Sequence, residues 1–599
     1  MIIQPIVFPK KEIISNDLLY FDIKGDVTVD TGIQKLTFKM NSEISFNSYF
    51  NSFSLNKWKK YTVLENLSIN ITYKGHFELT IVSRDLKNKL VFEQVQKKIT
   101  LSANEKKTID VDVQDMNHDM IFFKMKAKDD HSIFYSGSYC SEVPKEKVNP
   151  TDICVVICTY KREEYIKKNL SILKKYIIEN LASPLRNHLS IFVVDNGKTI
   201  EKNKYESDQI RIIYNKNAGG SGGFTRGLIE AMEDQRTFSH VLFLDDDTVI
   251  EPISLTRTYH FLQLRQKQYE DLFLGGSMLN LLHPSIQEEA GASWNGGIIK
   301  PNKKDLDLTS SYNLLLNEME EEVEYNGWWF CCIPLSIVSE KNLPIPVFLH
   351  NDDIEYGLRN IKNITTLNGI CIWHLPFKNK YDSYLIYYFF RNLLICNAMH
   401  YTDKGIWFFL KLFYKHIIKY ILFYRYKEAN LLLDGVEDYY KGIDWLKKQE
   451  PERLHLKISE KGEKIRNLEQ VDLPYLNFLP LEYHTQKEGI ISKIFRTITL
   501  NGYFFKAKYN LIINLTEYNL SIAETRDFYR ANNLIFYDRR NLKVFTTKKS
   551  YRSLFKIIKR TIKVSLMTFM KYRKTNLEYK KRQDEITNME FWKDYLGLK

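Results

Sequence analysis

The 599-residue sequence predicts a multidomain α/β protein, and three observations carry that prediction. Its first 148 residues alternate apolar and polar positions in short runs. The next stretch alternates continuous apolar strands with helical segments. Beyond about residue 400 the chain turns helical, aromatic and finally basic. At about 150 residues per domain, the length suits three or four domains with ample core. Apolar residues make up 44%, charged residues 27%, and there are 15 Pro, which excludes a largely disordered or fibrous chain.

Runs such as Phe77-Glu-Leu-Thr-Ile-Val82 begin with period-two alternation, and clusters of Ser, Asn, Asp and Gly separate them. About eight such strands predict a β-sandwich of jelly-roll type over 1–148. The polar stretch Val143–Pro150 holds two prolines and marks the boundary. From Thr151, the apolar run Ile153–Ile157 reads as a strand buried on both faces of a parallel sheet. Helical spacing over Lys161–Asn180 and Gly227–Glu233, with further strands at Leu189–Val194, Ile210–Ile213 and Val241–Leu244, continues the alternation. Such an open sheet has right-handed crossovers and takes its ligands beyond the carboxyl ends of its strands. This domain is expected to cover 149–400.

The seven cysteines are odd in number and form no CxxC pair, so neither a disulfide framework nor a structural zinc site is expected. Met1–Lys10 has no basic stretch leading into an apolar one, and the expectation is a cytoplasmic protein. The net charge of +13 lies almost wholly in Lys543–Arg582, which holds fourteen Lys/Arg and one acid, Glu578; the rest balances at 72 against 72. Charge alone would suit nucleic acid, phospholipid or anionic glycan. No nucleic-acid-binding fold accompanies it, and apolar residues such as Leu554, Phe555, Ile558 and Phe569 interleave with it, so an anionic membrane surface is preferred and nucleic acid disfavoured. In Ile406–Arg425, Lys411, Lys415 and Lys419 lie opposite a face of Phe409, Phe413, Ile417, Tyr420 and Tyr424. That segment is too short in its uncharged run to span a bilayer. It is either an interfacial helix or a core helix, and the first is preferred. Residues 401–599 are thus expected to be a mainly helical, basic, membrane-associating region, with no readable chemistry over 455–540.

Four motifs carry chemistry. Asp245-Asp-Asp247 follows the strand Val241–Leu244, and three adjacent carboxylates repel unless a cation relieves them. Asn217-Ala-Gly-Gly-Ser-Gly-Gly-Phe-Thr-Arg-Gly227 would let backbone at Gly219, Gly220 and Gly222 approach a ligand before a helix begins. Asp352, Asp353 and Glu355 cluster after an apolar run, where one aspartate can cap a helix and another act as general base. Trp328, Trp329 and Trp373 offer aromatic faces or core, and His374 would complete a cation site beside two aspartates.

Taken in order with Cys158-Thr-Tyr-Lys-Arg162, Val194-Asp-Asn-Gly197 and Asn351-Asp-Asp-Ile-Glu-Tyr356, these motifs resemble a family 2 glycosyltransferase of the GT-A fold. They are similar to the bacterial galactofuranosyltransferases that build cell-surface galactan. The motif match covers about 155–392. The resemblance implies UDP-galactofuranose as donor, Mn²⁺ or Mg²⁺ and inversion at the anomeric carbon, and the expected acceptor is a lipid-linked glycan. It implies that Asp245, Asp247 and His374 bind the metal and that Asp353 is the base beside Asp352. Arg162, Asp195, Asn217, Gly219, Gly220, Gly222 and Asp246 would hold the donor. Trp328, Trp329 and Glu355 would shape the acceptor site, while Phe377 and Asn351 depart from the family pattern. A peripheral position at the inner face of the cell membrane and a homo-oligomeric assembly are compatible with it. Another nucleotide sugar as donor, or a non-catalytic glycan- and membrane-binding protein, are the alternatives.

Overall fold

A computed structural model describes residues 1–14, 16–376, 382–401, 403–470, 479–480, 488–514, 525–538 and 542–598. It divides into two compact units, Met1–Pro344 with Asp353–Leu375 and Asn588–Lys599, and Ile345–Asp352 with Pro376–Thr587.

The first unit holds two large sheets. In the N-terminal one, the long hairpin β1 (Ser68–Lys87) and β2 (Leu90–Asp112) turns at Asn88 and Lys89, both at positive φ, as a tight hairpin requires. Strand β1 pairs along one edge with two partners in succession. Ser68–Lys74 pairs with β4 (Ser132–Cys140), and Phe77–Arg84 with β3 (Met120–Ala127). The switch falls at Gly75, at φ +98, where a Cβ would run into Ser132. All nine strands are therefore linked by hydrogen bonds into one sheet. Rings from its two halves meet, Phe123 with Phe134 at 6.4 Å and Phe46 with Phe134 at 5.3 Å. The alternation read at Phe77, Leu79 and Ile81 places all three in the core.

The second sheet carries the site. Strands β5 (Ile153–Thr159), β6 (Leu189–Asp195), β7 (Ile210–Tyr214) and β8 (His240–Asp245) run parallel in the order β7-β6-β5-β8. Then β9 (Leu272–Asn280) and β10 (Phe330–Pro334) continue it, with β10 antiparallel to both β8 and β9. Helix α1 (Glu163–Leu173) follows β5, and α2 (Gly219–Glu233) follows β7. Register aligns Cys158 with Asp245 and Thr159 with Asp195, so three strand ends bring polar residues to one edge. The second acidic motif opens α3 (Asp352–Asn360), and β11 (Asn363–His374) runs parallel to β9.

In the second unit, helices α4 (Leu385–His400), α5 (Ile406–Leu422) and α6 (Tyr426–Tyr439) pack with the long α7 (Tyr551–Arg582). Between them lies a five-stranded sheet that includes Tyr509–Asn514, Ala531–Asp538 and Lys543–Lys548, so this region is not purely helical. The preferred reading of α5 also needs correction. Phe409, Phe413, Ile417, Tyr420 and Tyr424 are buried, so that face is core and no membrane face. A stripe of rings is the cheapest surface to remove from water, and α6 and α7 pack against this helix to cover it.

The last helix, α8 (Met589–Leu596), belongs to the first unit and not to the helical one. Trp592 and Leu596 pack over Gly222 of α2, and Trp592 Nε1 donates to Pro344 O at 2.8 Å. Lys593 pairs with Glu233, and Lys216 Nζ donates to Tyr595 O at 2.9 Å. Among the described residues no helix is long and apolar enough to cross a membrane.

Candidate active site

The aspartate triplet splits by direction. Residues at a strand end alternate sides, so Asp246 turns inward while Asp245 and Asp247 share the other side. Asp246 is buried. It accepts from Thr159 Oγ1 at 2.7 Å and Arg162 Nη1 at 2.8 Å, and its carbonyl accepts from Asn169 Nδ2 at 2.9 Å. Burial pushes the Asp246 carboxyl up, while Arg162 and Thr159 draw it back down. Arg162 also reaches Asp247 at 3.0 Å, and the acidic neighbours raise its own pKa against the effect of burial. The repulsion expected among three carboxylates is thus relieved in part by the protein itself. Arg162 and Asp246 are engaged with each other in this arrangement.

Asp245 and Asp247 remain grouped with His374. One ligand atom from each of the three lies within 4.8 Å of the others, and His374 Nε2 is 3.1 Å from Asp247 Oδ1. Two strand pairings assemble this group. Val249 and Ile250, just past the triplet, pair with Trp373 and Ile372, and Asn280 of β9 is the register partner of His374. Two carboxylates and an imidazole are donors that suit Mn²⁺ or Mg²⁺. The three atoms are close enough to share one ion.

The second acidic motif behaves differently. Asp353 Oδ1 accepts from the N–H of Ile354 at 2.8 Å. Burial pushes its carboxyl up to about 7, the charge of Asp245 adds to this, and the Ile354 N–H works against it. Glu289, at the end of the strand His283–Glu289, is buried and is pushed up to about 8 by burial and then by the Asp353 charge. No pattern in the sequence marks Glu289. Only the pairing of Met278 with Glu289 brings it to this edge.

Several expected site residues are engaged inside the fold. Glu355 is fully buried and gives both carboxylate oxygens to Arg359, at 3.0 and 2.9 Å. Trp328 is packed among Phe224, Phe243 and Tyr356, and Trp329 donates Nε1 to Gly276 O at 3.2 Å; both rings are buried. Asp195 is buried and accepts from the N–H groups of Gly197, Thr199 and Ile200 at 2.7–2.8 Å, so it shapes the loop after β6.

The glycine run is helix rather than ligand loop from Gly219 onward. Asn217 Oδ1 accepts from Gly219 N–H at 3.2 Å, and Gly220 and Gly222 lie in the first turn. A Cβ at Gly223 or Gly227 would collide with Cys158 or Val156 of β5, so those glycines set how closely α2 packs on the sheet. Phe377 lies outside the described residues, and Asn351 is buried at positive φ just before α3.

Comparison with known proteins defines the class. Residues 150–359 match the model for glycosyltransferase like family 2, and residues 3–141 match that for the galactofuranosyltransferase 2 N-terminal region. Together these matches support a GlfT2-like family 2 glycosyltransferase. In particular, it is similar to galactofuranosyltransferase GlfT2 of Mycolicibacterium smegmatis, 25% identical over 67% of this chain and 64% of that one. It is also similar to GlfT2 of Mycobacterium tuberculosis, 26% identical over 60% of this chain and 59% of that one. The chain thus spans under two thirds of the length of either relative.

Proposed function

We propose that this protein is an inverting, divalent-cation-dependent transferase that moves galactofuranose from UDP-galactofuranose to a hydroxyl of a lipid-linked cell-surface glycan. The observation that carries the reading is the pairing of two differently tuned carboxylate sets in a chain matching both family models. Asp245, Asp247 and His374 are grouped as cation ligands, and Asp353 nearby is held near neutrality.

In this reading Asp353 takes the proton of the attacking sugar hydroxyl. Such a hydroxyl has a very high pKa, and a carboxyl raised toward neutral pH is a stronger base while remaining largely ionised above its midpoint. A single attack opposite the leaving group inverts the anomeric carbon and needs no covalent intermediate. A cation held by Asp245, Asp247 and His374 would offset the negative charge gathering on the departing diphosphate. Arg162 and Asp246 would steady the turn that carries those two aspartates. Asn217, Gly219, Gly220 and Gly222 are assigned to the donor side, where the positive end of the α2 helix would favour a diphosphate. Asp352 is assigned beside the base, and Trp328, Trp329, Glu355 and Asp195 act by holding the walls. The basic surplus around α7 supports a peripheral position at the cytoplasmic face of an anionic membrane.

A panel of UDP-sugars with a synthetic lipid-linked acceptor, read by mass spectrometry, tests the reaction. Product from UDP-galactofuranose with Mn²⁺ is expected. Turnover with UDP-galactopyranose alone would overturn the donor, and turnover unchanged by Asp247→Ala would overturn the cation site.

A further inference from the structure

The chain enters α3 through a backbone that L-residues rarely adopt. Phe348, His350 and Asn351 lie at φ +73°, +64° and +67°, all in the left-handed region that favours glycine. At Phe348 the N–H of Leu349 donates to Val347 O at 3.0 Å, which closes a γ-turn of the rare, strained form. Asp352 and Asp353 follow directly as the first residues of α3. Such a run persists only where its surroundings hold it in shape.

The holder is α4. Its adjacent residues Arg391 and Asn392 are both buried, and both are aimed at the carbonyls of this run. Arg391 Nη2 donates to Val347 O at 2.7 Å. Asn392 Nδ2 donates to Leu349 O at 2.6 Å and His350 O at 2.9 Å, and lies 3.2 Å from Val347 O. Arg391 Nε donates to Asn392 Oδ1 at 2.9 Å, which turns the amide so that its N–H groups face the carbonyls. The helix behind them is fixed in turn. Arg391 Nη1 reaches Tyr387 Oη at 3.4 Å, and that hydroxyl donates to Asp438 of α6 at 2.8 Å. Gly435 lets α6 close on the Tyr387 carbonyl, which a Cβ would approach to 2.5 Å. The Phe348 ring is gripped as well, stacked on Tyr388 at 5.5 Å and His455 at 4.7 Å.

We propose that Arg391 and Asn392 are positioning residues for the transfer step, a clamp that holds the 347–351 backbone in the one shape that leads correctly into Asp352 and Asp353. Packing alone does not account for them. A buried guanidinium and amide are costly to desolvate, and apolar side chains would join α4 to its neighbours at less cost. What an apolar pair could not do is hold three successive carbonyls against the ordinary preference of the backbone. The step that follows is sensitive to placement, since a displacement of about 1 Å between reacting groups is worth about a hundredfold in rate. The inference rests on the assignment of Asp353 as base and gives the helical unit a part in the chemistry.

The test is Asn392→Ala in the full chain, with kcat measured on UDP-galactofuranose and the synthetic acceptor and donor affinity measured by calorimetry. A fall in kcat of about a hundredfold with unchanged donor affinity is expected. His350→Gly placed in the Asn392→Ala background is expected to return about tenfold of that loss, because glycine takes positive φ without strain. A loss caused only by looser packing of α4 would not respond to a glycine in the loop. Arg391→Lys keeps the charge and releases the Asn392 amide, so an intermediate loss is expected, and it carries the same test if Asn392→Ala does not fold. Full turnover in these variants, or a loss that glycine leaves untouched, would overturn the clamp. Hydrogen exchange gives a readout that needs no turnover. Amides 347–354 are expected to exchange about tenfold faster in Asn392→Ala than in the wild type. A wild type without turnover would overturn the transferase reading, whereas unchanged exchange in the variant would overturn the clamp by itself.

Discussion

At the end of β8, three aspartates share Arg162, Thr159 and His374, whereas at the start of α3 Asp353 accepts an Ile354 N–H while Glu355 takes Arg359. Arg162 holds Asp246 and also reaches Asp247, whereas Arg359 takes Glu355 and not Asp353. The remaining groups differ in what they sit beside. Asp245 and Asp247 face an imidazole that can share a cation with them, and Asp353 sits in surroundings that favour a proton. The same residue type is thus placed in contrasting surroundings by burial and neighbours.

The sharpest way to break this comparison is Asp353→Asn, which keeps shape and removes the proposed base. Turnover is expected to fall about 10²–10⁴-fold while UDP-galactofuranose binding by calorimetry stays within error. An equal loss of binding would place Asp353 in donor recognition instead. Next in size is the structural partner. Glu355→Gln leaves Arg359 without its carboxylate, and a stability loss of about 3–5 kcal/mol is expected in denaturant melts. A variant as stable as wild type would show that the Glu355–Arg359 pair contributes nothing to the fold.

The pH dependence sharpens the contrast further. Because the Asp353 pKa is raised in the fold to about 7, the native state holds a proton there that the unfolded chain has released. Activity should rise as pH increases through neutrality, by about tenfold per unit below the midpoint. Stability should fall over the same window, from the unfolded carboxylate pKa up to about 7, and Asp353→Asn should flatten that slope. The smallest expected effect is Thr159→Val, which removes a donor to buried Asp246. It should cost about 1–3 kcal/mol and lower the apparent Mn²⁺ affinity, since Asp246 anchors the turn that orients Asp245 and Asp247.

Much of this was legible from residue order. The strand Val241–Leu244 ending in three aspartates, and the apolar run ending at His374, both lie where an open sheet presents ligands. What pattern could not carry was direction and company. Nothing local tells that Asp246 turns inward or that Glu355 is taken by Arg359, because both depend on side chains brought in by folding. Glu289 was invisible for the same reason. The aromatic face of α5 looked amphipathic and proved to be core, since a helix covered by other helices and one covered by lipid need the same stripe. The glycine run misled in the opposite sense. Gly223 and Gly227 are small to admit β5, so a signal read as ligand approach is largely helix-on-sheet packing.

The docking of α8 has a consequence for biogenesis. The first unit closes with a segment that emerges from the ribosome more than two hundred residues after Leu375, once all of 376–587 has been made. Until then the Gly222 flank of α2 and the backbone near Pro344 lack the cover of Trp592 and Leu596, so the nascent domain exposes surface that the finished one buries. Premature termination anywhere in the second unit would leave that flank bare, giving proteases a mark by which to remove incomplete chains.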